Sequence, residues 1–141
     1  MLRRIVCGLV LGVSAVLAGC GDTTTGPAPT PTLVTETFTG EVTPASGATH
    51  SFVTLLGGEV TATLTAVGPD PAKNVGFSLG TFNSTLNTCT AVFDNPAALQ
   101  AFAFKANATT LGSYCVRIYD NGNVTTDNVP YTYTITVVHP Q

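Results

Sequence analysis

The sequence predicts an all-β fold, an antiparallel β-sandwich of jelly-roll-like form with about eight strands. Three observations predict it. From Leu33 onward, apolar residues alternate with threonines and other polar residues at a period of two, the spacing of strands with one face to a core and one to water. Clusters of glycine, proline, asparagine and aspartate interrupt that alternation at short intervals, as turns do. The alternating part is roughly 110 residues long, the size of a single sandwich.

The residues before Leu33 do not share this pattern. Arg3 and Arg4 make a positive start, and Ile5 to Leu17 is an apolar run of about 13 residues, the length of a signal-peptide core. A membrane-spanning helix needs about 20. The run ends in Leu17-Ala18-Gly19-Cys20, which resembles the lipobox of bacterial lipoproteins. In that family a peptidase cuts before the cysteine, and the new N-terminal cysteine carries acyl chains. The resemblance implies a leader over residues 1–19, lipidation at Cys20, and an exported protein anchored by lipid to the cell envelope, at the outer membrane if the cell has one. Stable anchoring takes two membrane signals, which two acyl chains supply without a protein helix. The alternative is an ordinary signal peptide cut nearby, with Cys20 incidental.

Residues 20–32 carry the lipid-bearing Cys20 and then a Thr/Pro-rich stretch, Thr23 to Thr32, with no large apolar residue. Alternate prolines favour polyproline II at about 3.1 Å per residue, so the stretch is expected to act as a tether of roughly 30 Å.

Residues 33–141 form the expected β-sandwich domain. Glu59 to Ala66 places Val60, Ala62, Leu64 and Ala66 on one face and Glu and Thr on the other. The same alternation recurs in Val75/Phe77/Leu79, Phe102/Phe104, Tyr114/Val116/Ile118 and Tyr131/Tyr133/Ile135/Val137. It puts Tyr114 inside with Val116 and Ile118, and Tyr119 outside with Arg117. Threonine suits these positions because β-branched side chains fit a pleated surface. Turns are expected at Pro44–Gly47, Gly57-Gly58, Gly68–Pro71 and Asp120–Asn123. One segment, Asn95 to Gln100, suits a helical turn with Asn95 as cap and Pro96 at the first position.

Several of these strands carry a resemblance. His50-Ser51-Phe52-Val53 and Gly57-Gly58-Glu59-Val60-Thr61-Ala62-Thr63-Leu64, then Leu111 to Tyr119 and Tyr131 to Val137, are similar to the bacterial pre-peptidase C-terminal domain. The likeness covers residues 36–138 and implies a jelly-roll-like sandwich. That domain is often appended to secreted peptidases, where it aids secretion or substrate binding.

With the leader gone, Cys7 is lost and Cys20 is taken by lipid, which leaves Cys89 and Cys115. An even remainder in an exported chain predicts one disulfide, expected here between neighbouring strands. A metal or catalytic thiol pair is the alternative, but it lacks C-x-x-C spacing and a nearby histidine. The full chain carries 5 basic and 8 acidic residues. Without Arg3 and Arg4 the balance is 3 against 8, near −5. Lys73, Lys105 and Arg117 are scattered, so no basic patch exists to displace counterions from a phosphate backbone, and nucleic-acid binding is excluded.

Catalytic signals are missing. No phosphate-binding glycine loop occurs, and the carboxylates are mostly separated singles. The chain is therefore read as a non-enzyme without a cofactor. His50 and His139 stand far apart in sequence, outside any metal-ligand spacing, and are expected to be solvated. The loop Asp120 to Asn128 concentrates oxygen ligands, and Asp120, Asn123 and Asp127 are weak calcium candidates. Against them stand the missing EF-hand spacing and the lack of a closing bidentate acid.

Two functional classes follow. One is a lipid-anchored binding or adhesion module for a protein or glycan, acting through a sheet face or through the loops Asp120–Asn128 and Gly68–Asn74. The other is a structural lipoprotein that serves or stabilises an envelope assembly.

Overall fold

The computed structural model describes residues 26, 30–109, 111–124 and 130–141. The leader, Cys20, most of the tether and Asp127 lie outside the described residues. Eight strands follow one another: β1 (Leu33–Val42), β2 (Gly47–Thr54), β3 (Gly58–Gly68), β4 (Val75–Asn83), β5 (Thr88–Ala98), β6 (Ala103–Ala108), β7 (Gly112–Tyr119) and β8 (Tyr131–Pro140). They form two four-stranded sheets with orders β1-β8-β3-β6 and β2-β7-β4-β5. All pairings are antiparallel. Every connection except β4–β5 crosses from one sheet to the other, which is the jelly-roll arrangement.

The core lies between the sheets and is built from the inward set of each alternating strand. Ala62 and Leu64 on β3 and Ile135 and Val137 on β8 meet Val75 and Phe77 on β4 and Val116 and Ile118 on β7, all fully buried. Burying a Val, Leu, Ile or Phe side chain contributes about 1.5–3 kcal/mol, so this layer is the main source of stability. Tyr114 packs partly buried against it, while Arg117 is exposed, as the alternation predicts.

The strands and their cross-link depart from the sequence expectations in three places. Ala66 is exposed and Val67 is buried, because the β3–β8 register shifts between Leu64 and Ala66. That bulge reverses the inward set of the strand. Asn95 to Gln100 is not a helical turn: β5 continues to Ala98, which pairs with Val75 and is fully buried. Asn95 Oδ1 accepts the Ala97 N–H at 3.0 Å, and Pro96 lies on an edge strand, where a missing ladder donor is tolerated. Cys89 and Cys115 are bonded, with Cα atoms 5.8 Å apart, but their strands are not neighbours. β4 runs between β5 and β7, and Gly80 pairs with Cys115 on one side and with Ala91 on the other. A Cβ at Gly80 would lie 1.9 Å from the Thr90 carbonyl oxygen. The missing side chain lets β5 close over β4, so the disulfide spans the strand between.

Candidate functional site

At one end of the sandwich the described part of the loop after β7 lies beside the turn before β4, where Asn121 and Asn123 meet Asn74. Asp120 organises it. Its Oδ1 accepts backbone N–H groups of Gly122 (2.8 Å), Asn123 (3.0 Å) and Val124 (3.1 Å), and its Oδ2 accepts that of Ala45 (2.8 Å). Partial burial pushes this carboxyl up, but the bonds from Ala45, Val124, Gly122 and Asn123 outweigh it and hold the group below the usual carboxylate value. Both oxygens are thus engaged in building the turn. The Asn121 and Asn123 amides both donate to Asn74 Oδ1, and Asn121 also donates to the Pro96 carbonyl at 2.7 Å. Among the described residues, no three of His, Cys, Asp and Glu come together as metal ligands. Among the described residues, both Asp120 oxygens and the Asn121 and Asn123 amide nitrogens are engaged in building this end, while Asn121 Oδ1 is buried without a hydrogen-bond partner.

Neither histidine is simply solvated. His139 is fully buried, and its Nε2 lies 2.9 Å from Glu36 Oε1. His50 is half-buried, stacked on Phe38 at 4.8 Å between ring centroids and bonded through Nε2 to the Tyr133 hydroxyl at 2.8 Å. Burial lowers the pKa of His50 and raises that of Tyr133. These contacts join β1, β2 and β8 and close that edge of the sandwich. The signal was present in the sequence. His139 continues the inward series Tyr131, Tyr133, Ile135, Val137, and His50 sits two residues before the buried Phe52.

On the outer face of the second sheet, the Tyr119 hydroxyl bonds Asp94 at 3.0 Å, and the buried Ser78 hydroxyl donates to Asp94 Oδ1 at 2.9 Å. Burial raises the Tyr119 pKa, and the hydrogen bond and charge of Asp94 add to this against an opposing effect of Arg117. The Tyr119 ring lies over Gly76, where a Cβ would come within 2.1 Å of it. Ser78 stands in Gly76-Phe77-Ser78-Leu79-Gly80, the spacing of a nucleophile elbow, but it lies within β4 and not at the strand-to-helix turn that such an elbow needs, and its bond to Asp94 covers the strand.

The opposite edge of the sandwich is open. β5 and β6 are joined at Leu99–Phe102, where Ala101 N–H and Phe102 carbonyl bond Leu64 of β3 and bring the sheets together. Away from that corner they diverge around an apolar cleft of about 320 Å³. Val60, Ala106 and Ala108 line it from one sheet, and Leu79, Val92, Phe93 and Tyr114 from the other. Phe93 is backed by Phe104 at 5.9 Å, which in turn packs on Phe77 at 5.5 Å. The cause is a taper in side-chain size: the inward residues of β6 run Phe104, Ala106, Ala108, so the core thins along the strand. Pockets of this size and apolar character are the usual place for a bound apolar group. The sequence offered only two alanines as a sign, and strand divergence made the cleft.

No family model matches the chain, and no curated protein matches it. Among solved structures it is similar to Aeromonas hydrophila PliG, a periplasmic lysozyme inhibitor of g-type lysozyme. The two share 14% identity over 79% of this chain and 86% of that chain, with a TM-score of 0.45.

Proposed function

We propose that this chain is a non-catalytic binding module of the bacterial cell envelope, anchored through lipid on Cys20, which takes an apolar side chain of a protein partner in the cleft between β5 and β6. The observation that carries the binding function is the cleft itself, open to solvent at Val92 and floored by aromatic rings. Thr81, Asn107 and Thr109 border the cleft, but most of its lining is apolar, which suits an apolar side chain better than a glycan. The apolar leader, the Leu17-Ala18-Gly19-Cys20 sequence and the Thr/Pro tether support the anchor. Cys20→Ser should release a soluble protein or stall processing, and unchanged membrane retention would overturn the anchor.

For the cleft, the test is Ala106→Phe, which fills the space without touching the strand ladder. An environment-sensitive naphthalene dye should brighten with the wild-type domain and lose that emission with the variant, at an unchanged melting midpoint. Equal brightening by both proteins would show that the cleft is not where apolar groups bind.

A further inference from the structure

The two ends of the sandwich carry loops of opposite character, which the cleft does not explain. β1 starts at the end where Leu33 pairs with Pro140, Gly58 with Ala108 and Thr54 with Gly112. Gln141 Nε2 donates to the Val53 carbonyl there, tying the two sheets at the same level. Three loops turn at this end, and each holds a leucine in the open: Leu55 is 55% exposed, Leu86 69% and Leu111 64%. Leu33, at the root of the tether, is 62% exposed. Residues 55–57, 84–87 and 109–111 include no Asp, Glu, Lys or Arg. The other end presents Asp70, Lys73 and Asp120 with the asparagines around them, and Leu99 is its one large exposed apolar side chain among the described residues. Single exposed leucines are ordinary, but one on every loop of one end, with charge excluded, makes an apolar rim.

What covers this rim follows from where the chain leaves it. The tether joins the domain at Leu33, so Cys20 draws this end, and no other, toward the bilayer. Thirteen residues span about 40 Å in polyproline II and much less as a coil, so a link of this length lets the domain reach the bilayer. We propose that Leu55, Leu86 and Leu111, with Leu33 beside them, dock into the lipid surface, so that the domain stands on the membrane by its leucine-bearing loops. Their side chains enter the boundary between headgroups and acyl chains, as the apolar face of an interfacial helix does. The lipid chemistry is zwitterionic: a domain with 3 basic against 7 acidic residues, near −4, without basic residues on these loops, gains nothing from anionic headgroups. Docking sets the cleft beside the lipid surface, where a membrane-bound partner would be met. The inference rests on the anchoring proposed above, for what brings the domain to the membrane.

The test separates docking from anchoring. The mature chain, Cys20 to Gln141, is coupled through the Cys20 thiol to a maleimide phospholipid in phosphatidylcholine–phosphatidylethanolamine vesicles, while Cys89 and Cys115 stay oxidised. The chain contains no tryptophan, so Leu86→Trp, Leu111→Trp and Lys73→Trp each introduce a single reporter. With brominated phosphatidylcholine in the vesicles, emission should be quenched for Leu86→Trp and Leu111→Trp and unchanged for Lys73→Trp, at the far end. Adding Leu55→Ser and Leu86→Ser to Leu111→Trp should abolish its quenching. Equal, unquenched emission from all three single variants on floated vesicles would overturn docking. Chemical coupling makes this outcome independent of acylation in the cell, which the mass of the mature N-terminal peptide reports separately.

Discussion

The two ends of this sandwich hold their loops in place by different means. At the end away from the tether, polar side chains do the work: Asp120 gathers backbone N–H groups from its own loop and from Ala45 in the turn after β1, Ser46 Oγ accepts the Thr43 N–H and Asp70 Oδ1 accepts the Ala72 N–H. At the tether end, leucines occupy the loops and cannot bond the backbone. There Asn83 Oδ1 caps the β4–β5 turn by accepting the Thr85 and Leu86 N–H groups, each at 3.0 Å. A short way down the same hairpin, the Cys89–Cys115 bond fastens β5 across β4 to β7. A polar loop can satisfy its backbone with its own side chains, whereas a loop with an apolar tip must be positioned by what flanks it. The tether end is therefore free to present leucine outward, and the far end is not.

The largest effect that would break this contrast is at the disulfide. Its residues are separated by 26 positions, and on the chain-entropy model the Cys89→Ser/Cys115→Ser pair should cost about 3 kcal/mol, read as a drop in the denaturation midpoint. Amide exchange should quicken in the β4–β5 hairpin and stay slow in the Asp120 turn. A uniform change at both ends would mean that the bond is not specific to the hairpin it fastens.

Next comes Asp120→Ala, expected to cost about 2 kcal/mol because it leaves several backbone donors of one turn without their charged acceptor. The pH dependence has a definite sign. The Asp120 pKa is lowered from 3.8, so the stability it contributes is present above that value and lost as pH falls through the lower folded value. His50, whose pKa is lowered from 6.5 by burial, adds a separate loss as pH falls below 6.5. Acid titration of the unfolding midpoint should show two stages in the parent and lack the lower one in Asp120→Ala. An unaltered profile in that variant would assign the acid loss elsewhere.

The smallest effect sharpens the comparison from the other side. Leu86→Ser with Leu111→Ser should shift stability by no more than about 0.5 kcal/mol, since both side chains are already in water. A large loss in the unfolding midpoint would show that these leucines belong to the core and are not available to a surface.

Much of the fold was legible because strand alternation is local. Val60, Ala62 and Leu64, or Tyr131 through Val137, state their buried face through a period of two, and the turn residues mark where most strands stop. Legibility failed where a neighbour overruled the local pattern. The bulge after Leu64 is imposed by pairing with β8, and β5 took Asn95 to Ala98 because β4 offered a ladder. His139 was legible in principle, since the same period that buries Val137 buries it, but Glu36, about a hundred residues away in sequence, could not be foreseen as its partner.

The candidate site divides in the same way. The sequence by itself determined that two cysteines remain to pair in the domain and that its strands form one sandwich with apolar inward sets. Those properties depend on residue type and near-neighbour spacing, which a linear chain carries in full. Only the tertiary structure decided that the disulfide spans β4, that Asp120 is engaged by Ala45 and its own loop, and that β5 and β6 diverge around a cleft. It also brought Leu55, Leu86 and Leu111 to one end, although Leu86 and Leu111 are single leucines among polar residues and Leu55 has only Leu56 beside it before the glycines. Strand direction reverses at every turn, so alternate loops fall at the same end, and the meaning of each leucine lies in the company the fold gives it.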